Sequence, residues 1–294
     1  MNIRSLEQFL TLADTLHFGR ASNTCNISIS ALSRNIRQLE QDLGTTLFNR
    51  DNRTVELTLA GKAFQQYARE AISQWQLIRH EIAEESHQLR GELSLYCSVT
   101  ASYSILFNLL ERFRPQYPDI EIKLHTGDPE HAIARIAAGY EEISIAAHPP
   151  SLSRGVIFKP IMSSPLVFIA PANNSSLNIN APQETESTWE AIPMVLPETG
   201  IARNRVDRWF KARNITPRIY AQVEGYEAIV SMVSLGFGVG VVPQIVLDNS
   251  PLAERIQILA VKPALEPFNI GLFTLGRNLK NPLIEAFWNS VVTN

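Results

Sequence analysis

The chain has 294 residues, a net charge of −3, and 45% hydrophobic and 19% charged residues. That is ordinary globular composition at a length beyond most single cores, so two or three domains are expected. The opening MNIRSLEQFLTLADTLHF is broken by charges and no apolar run is long enough for a bilayer, which argues against a secretory leader and a membrane partner and makes the cytoplasm the expected compartment.

In chain order, Leu6, Phe9, Leu10, Leu12, Ala13 and Leu16 recur at helical spacing, Gly19 interrupts, and Arg20 to Cys25 allow a short second helix before a turn at Asn26-Ile27-Ser28. Ser28 is placed to cap a third helix. On it Leu32, Ile36, Leu39 and Leu43 form one stripe, and Gly44 ends it as a left-handed cap. The opposite face carries Ser30, Arg34, Arg37, Gln38 and Gln41, and from Gly19 to Gln38 there are three arginines and no acid. Arginine matches the acceptors of guanine and glutamine those of adenine, so this face is either a solvated helix surface or one suited to the major groove of double-stranded DNA, with Ser28, Ser30, Ala31, Arg34, Arg37 and Gln38 as contact residues in the second case. A local basic face matters more here than the acidic whole-chain balance. Beyond it, LFNRDNRTVELT gives an apolar anchor at Phe48, a polar turn at Asp51-Asn52 and alternation at Val55 and Leu57. This reads as a β-wing carrying Arg50 and Arg53 toward phosphates.

The segment FGRASNTCNISISALSRNIRQLEQDLGTTLFNRDNRTVELTLAGKAF resembles the winged helix-turn-helix of the LysR-type transcriptional regulators. The matching positions include Ala21, Ser28, Ser33-Arg34, Leu39-Glu40, Leu47-Phe48 and Leu57 to Gly61, while Cys25 and Ile29 depart from the Leu and Gln that are usual there. The DNA-binding domain is thereby assigned to 1–58. Thr58 to His87 reads as one long helix whose Phe64, Ala68, Ala71, Trp75, Ile78 and Ile82 step by three and four, a heptad seam that wants a partner. The resemblance implies the same: a linker helix over 59–88 pairing two chains into a homodimer or homotetramer.

From Leu89 onward strand-like runs, ELSLYC, IEIKLHTG, ISIAAH, LVFIAP, IPMVLP, IYAQV, GVGVVP and FNIGLFTL, alternate with helical stretches at Ser104–Phe113, His131–Ala138, Ala202–Asn214 and Tyr226–Leu235. This is α/β architecture, expected as mostly parallel sheet. The resemblance implies a two-lobed, periplasmic-binding-protein-like effector domain over 89–294, with lobe I at 91–162 and 267–294 and lobe II at 163–266.

No Gly-x-Ser-x-Gly elbow, P-loop, His-Glu-x-x-His or close Cys/His cluster is present. GFGVGVVP fails as a dinucleotide fingerprint because Val241, Val242 and Pro243 stand where a further glycine and a helix are needed. Cys25 and Cys97 are far apart and read as two buried, reduced thiols. An enzyme, a metal and a cofactor are therefore not expected. What remains is small-ligand binding. CSVTASYS follows the first strand of this region directly, offering Ser98, Thr100 and Ser102, and PETGIARNR offers Thr199, Gly200 and Arg203 from the other lobe. Hydroxyls and free N–H groups at such helix starts attract anions. The family uses the matching loops for its effectors, and RNA polymerase is the partner implied for an activator. Stretches such as GELSLYCSVTASYS, IEIKLHTGD, EAIVSMVSLGFGVGVVP and NPLIEAFW further resemble the family branch that activates acetohydroxy acid isomeroreductase expression in isoleucine and valine synthesis. That likeness implies acetolactate and acetohydroxybutyrate as carboxylate effectors.

Overall fold

The computed structural model describes residues 2–50, 54–83, 89–172 and 186–291. The chain divides into two compact units, Met1–Leu89 with Ala138–Tyr140, and Arg90–Ala137 with Glu141–Asn294.

The first unit begins with α1 (Ile3–Thr15), α2 (Phe18–Thr24) and α3 (Ile29–Leu43), followed by β1 (Phe48–Arg50), β2 (Val55–Leu57) and the long α4 (Leu59–Ala83). Each start is chemically marked. Asn2 and Ser5 form a reciprocal capping box for α1, His17 caps α2, and the Ser28 hydroxyl accepts the Ala31 N–H of α3 at 3.2 Å. Gly44, at φ 67°, ends α3 in the left-handed conformation. Leu32, Ile36 and Leu39 are fully buried with Leu6, Phe9 and Leu12 of α1, each contributing roughly 1.5–3 kcal/mol of apolar burial. Leu43, the last member of the expected stripe, is 40% exposed because α3 runs past the core there. Strands β1 and β2 pair antiparallel as the wing. Thr58 then caps α4, its hydroxyl accepting the Gly61 N–H and donating to the Thr46 carbonyl. Gly61 is required by contact: a Cβ there would run into the Leu47 carbonyl, so α4 can lie against the wing only with no side chain at this point.

The second unit holds β3 (Gly91–Cys97), β4 (Ile120–Thr126), β5 (Ile143–Ala147), β6 (Val156–Ser164), β7 (Leu166–Pro171), β8 (Pro193–Pro197), β9 (Arg218–Val223), β10 (Val239–Pro243), β11 (Ile256–Leu259) and β12 (Phe268–Leu275). Its helices are α5 (Val99–Ala101), continuous through a π-helical stretch (Ser102–Leu106) with α6 (Phe107–Phe113), then α7 (Ala132–Ala137), α8 (Glu186–Ala191), α9 (Gly200–Lys211), α10 (Tyr226–Ser234), α11 (Gln244–Asp248) and α12 (Pro282–Ser290).

Two five-stranded sheets result, ordered β4-β3-β5-β12-β6 and β11-β7-β10-β8-β9. The chain leaves the first sheet at Ser164 and enters the second at Leu166, with Pro165 between them, and returns between Leu259 and Phe268. The expectation of mostly parallel sheet is corrected. β12 runs antiparallel to both β5 and β6, and β7 antiparallel to both β10 and β11, so only the β3, β4, β5 and the β8, β9, β10 neighbourhoods are parallel. Each time the chain crosses between sheets it enters the new one reversed, which a reading strand by strand does not register. β6 and β11 were not anticipated. β6, VIFKPIMSS, carries Pro160 and Lys159 within it and lies at a sheet edge, where proline is tolerated.

Candidate functional site

The α3 face opposite the buried stripe is exposed at Ser28, Ser30, Arg34, Arg37 and Gln38 and half-buried at Ala31. Neither Arg34 nor Arg37 enters an ion pair among the described residues, so both guanidinium groups are available to an anion or a base edge. Gln38 donates to Asp42 at 2.9 Å, and Ser28 and Ser30 lie 3.0 Å apart through their hydroxyls. Ile29 opens the helix as an apolar side chain left 55% exposed.

The wing departs from expectation at Arg50. Its guanidinium is turned to the Glu40 carboxylate at 2.6 Å and lies over the Phe18 ring at 5.3 Å, half-buried, so it ties the wing to α3 and α2 instead of reaching outward to phosphate. The acid that ends the acid-free, arginine-bearing stretch is thus a structural acceptor: Glu40 also takes the Leu47 and Phe48 N–H groups. Arg53 lies outside the described residues.

The proposed seam on α4 splits in two. Phe64 and Ala68 are buried in the chain's own core, Phe64 edge-on to Phe9 with ring centroids 4.8 Å apart, and Ala71 packs against the same cluster. These three are corrected from interface to core residues, because α1 folds along the first turns of α4 and covers the stripe there. Trp75 and Ile78, further along, are 45% and 48% exposed. The Ile82 side chain lies outside the described residues.

In the second unit a cleft of about 740 Å³, its mouth included, opens between the two sheets. Its walls are mainly aliphatic, with Ile105, Ile133, Ile145, Ile201, Val246 and Ile270 among them, and Ser98, Thr100 and Glu130 add polar atoms. Ser98 caps α5 by accepting the Ala101 N–H. Thr100 is 3% exposed, and both its N–H and its hydroxyl donate to one carboxylate oxygen of Glu227, at 3.0 and 2.5 Å. On the other side, the Ile201 N–H at the start of α9 donates to Glu130 at 3.1 Å. Desolvation pushes the Glu130 carboxyl above its ordinary pKa. Tyr226, which also lines the cleft, has its phenol raised still further by burial.

Of the expected ligand residues, Ser98 and Thr100 are thus brought to the cleft. Ser102 is turned away, donating to the Val99 carbonyl. Thr199 lines a smaller neighbouring pocket of about 320 Å³. Gly200 lies against the Glu130 carboxylate at φ +94°, a backbone conformation that strains any residue with a Cβ. Arg203 is corrected as a charge partner: its guanidinium is consumed by Asp207, the Pro197 carbonyl and Gln222, because α9 presents it toward β8 and β9 instead of toward the cleft. Among the described residues no group of His, Cys, Asp and Glu is arranged to hold a metal, and no helix is long and apolar enough to cross a membrane.

The profile of the bacterial regulatory helix-turn-helix protein, lysR family, matches residues 3–62, and that of the LysR substrate binding domain matches 86–294. The chain belongs to the LysR family of transcriptional regulators. It is 42% identical over 291 residues to the HTH-type transcriptional regulator IlvY of Escherichia coli (strain K12), covering 98% of each chain. Over 289 residues it is 42% identical to the HTH-type transcriptional activator IlvY of Haemophilus influenzae, covering 98% of this chain and 99% of that one. Among solved structures it resembles CbnR complexed with its target DNA, at TM-score 0.66 and 23% identity over 99% of each chain. It also resembles a full-length OxyR variant from Pseudomonas aeruginosa, at TM-score 0.71 and 21% identity over 99% and 94%. At those identities the two structures bear on the fold alone.

For this LysR regulator, α3 lies inside the matched helix-turn-helix segment of a DNA-binding unit, and its place is transcription control. The residues that sequence reasoning missed are Glu227 and Glu130. Each is an ordinary acid in the first turn of a helix or helical turn, and nothing local distinguishes it, since its partner is 127 or 71 residues away.

Proposed function

We propose that this LysR regulator is an activator that responds to a small branched carboxylate, an acetohydroxy acid such as acetolactate or acetohydroxybutyrate. Its target on this reading is the isomeroreductase gene of isoleucine and valine synthesis. The observation that carries it is the cleft: aliphatic walls suited to methyl and ethyl branches, with hydroxyl and amide donors concentrated at Ser98 and Thr100. Two IlvY relatives at 42% identity support the same assignment.

DNA is read by Ser28, Ser30, Ala31, Arg34, Arg37 and Gln38 over 1–58, and Arg53 adds a phosphate contact. The linker over 59–88 pairs chains into a homo-oligomer through Trp75, Ile78 and Ile82, and RNA polymerase is recruited in the cytoplasm. An effector can bias such a protein only by binding two lobe arrangements unequally, so it has to touch groups of both lobes. Thr100 from one and Ile201 or Tyr226 from the other stand around the cleft.

The test pairs footprinting of the region upstream of the isomeroreductase gene with calorimetric titration of acetolactate. Protection of that region together with a saturable heat is expected. Protection without heat would reject the effector, and absence of protection at low salt would reject the target.

A further inference from the structure

The Thr100 donors in the cleft are already engaged by one of the protein's own acids. Thr100, in the lobe built on β3, gives its N–H and hydroxyl to Glu227, on α10 of the other lobe. The relation is mirrored: the Ile201 N–H of α9 is taken by Glu130, which comes from the Thr100 lobe. Two carboxylates therefore cross the cleft in opposite directions, each seated on backbone N–H at the start of a helical run. Those N–H groups have no acceptor within their own helices, so the acids satisfy donors that would otherwise be orphaned.

We propose that Glu227 is a resident substitute for the effector's carboxylate: it occupies the Thr100 seat in the unliganded regulator, and the effector binds by displacing it while Glu130 keeps the second tie across the lobes. This rests on the carboxylate-effector reading above. Stoichiometry argues for displacement over sharing. The Thr100 hydroxyl has one proton and its amide another, and both point at a single Glu227 oxygen, so an incoming carboxylate finds no donor left on Thr100. Two carboxylates packed onto one hydroxyl would also repel each other at contact distance. The remaining polar lining offers no cation to offset that repulsion: Ser98, Ser104, Glu130 and Tyr226 supply only neutral or acidic groups. Once displaced, Glu227 stays in the first turn of α10, where the helix dipole favours its charge. The two seats differ in a way that assigns the roles. Thr100 forms part of the cleft wall and offers two donors, whereas Ile201 offers one N–H, next to Gly200 at φ +94° with the Glu130 carboxylate lying against it.

The experiment uses the full-length chain as wild type, Glu227→Ala, Glu227→Gln and Thr100→Val, with sodium 2-acetolactate titrated by calorimetry. Amide hydrogen exchange is followed on peptides spanning Thr100 and Ile201 without ligand. Removing the resident carboxylate frees the seat, so acetolactate is expected to bind Glu227→Ala about tenfold more tightly than wild type. Glu227→Gln, which keeps the shape and loses the charge, is expected to fall between them, and Thr100→Val to bind more weakly than wild type. Exchange should accelerate at Thr100 in Glu227→Ala and remain unchanged at Ile201. Equal or weaker binding by both Glu227 variants would overturn the proposal by making Glu227 a bystander or a ligand contact, as would unaltered exchange at Thr100. Absence of acetolactate binding by every chain would instead reject the effector reading, and the Thr100 exchange would still decide whether Glu227 holds the seat.

Discussion

The Arg50 guanidinium in the wing meets the Glu40 carboxylate on α3 at 2.6 Å, and the same carboxylate accepts the Leu47 and Phe48 N–H groups. One side chain thus sets the angle between the two elements that would face DNA. Glu40→Ala should leave three donors without their acceptor, at about 1–3 kcal/mol for the unsatisfied groups. Because none of them touches a base, operator and random DNA should lose affinity by similar factors. Competition gel shifts would check this, and a loss confined to the operator would contradict it.

Arg34 is exposed on the face of α3 opposite Leu32, Ile36 and Leu39. Arg34→Ala should weaken operator binding by about 1–3 kcal/mol while leaving thermal stability unchanged. A gel shift at fixed salt with equal affinity for both proteins would remove Arg34 from the recognition surface.

Trp75 and Ile78 remain half exposed on α4 after Phe64, Ala68 and Ala71 have been covered by the chain's own helices. Replacing both with Glu should dissociate the oligomer, because burying two unpaired charges in an apolar interface costs several kcal/mol. Since the pair is exposed in the single chain, the fold itself should survive. Sedimentation velocity would report the change, and an unaltered oligomer would exclude this stretch of helix as the interface.

Glu142 accepts the Ser94 N–H and hydroxyl, and desolvation raises its carboxyl to about pH 7. A group whose pKa is raised on folding binds its proton more tightly in the folded state. Its contribution is complete below the ordinary glutamate range and is lost as pH rises through about 7. Glu142→Gln, which cannot ionise, should therefore melt higher than wild type at pH 8 and show little advantage near pH 4.5. Melting curves across that window would test the sign: a difference that does not grow with pH would mean the carboxyl titrates normally.

Much of the DNA-binding unit was legible because its signals are local. The stripe of Leu32, Ile36 and Leu39, the Ser28 cap and the Gly44 stop all lie within 17 residues and depend on helical period and cap chemistry alone. The heptad on α4 was correctly seen as apolar but only partly as free surface: periodicity gives the direction in which Phe64 points, and only the tertiary path of α1 determines what it meets. In the second unit, runs such as FNIGLFTL identify a strand, yet its antiparallel pairing with β5 and β6 depends on the reversal at the crossing, which no window of sequence contains. The cleft shows the same division. Ser98 and Thr100 follow a strand directly and were found, whereas Arg203 was misread because its charge suggested a role that Asp207, one helical turn on, already absorbs. Glu227 and Glu130 stayed hidden because their meaning resides in long-range partners.

β12 lies in the interior of the first sheet, between β5 and β6, although it is drawn from residues 268–275, while the second sheet is built entirely from residues 166–259. On a ribosome, all five strands of the second sheet are synthesised before β12, an interior strand of the first, exists. The later sheet in sequence should consequently mature earlier, leaving β6 unpaired at an open edge until the last tenth of the chain emerges. A nascent chain stalled before Phe268 would carry one finished lobe and one unfinished one, with an exposed strand able to recruit the wrong neighbour.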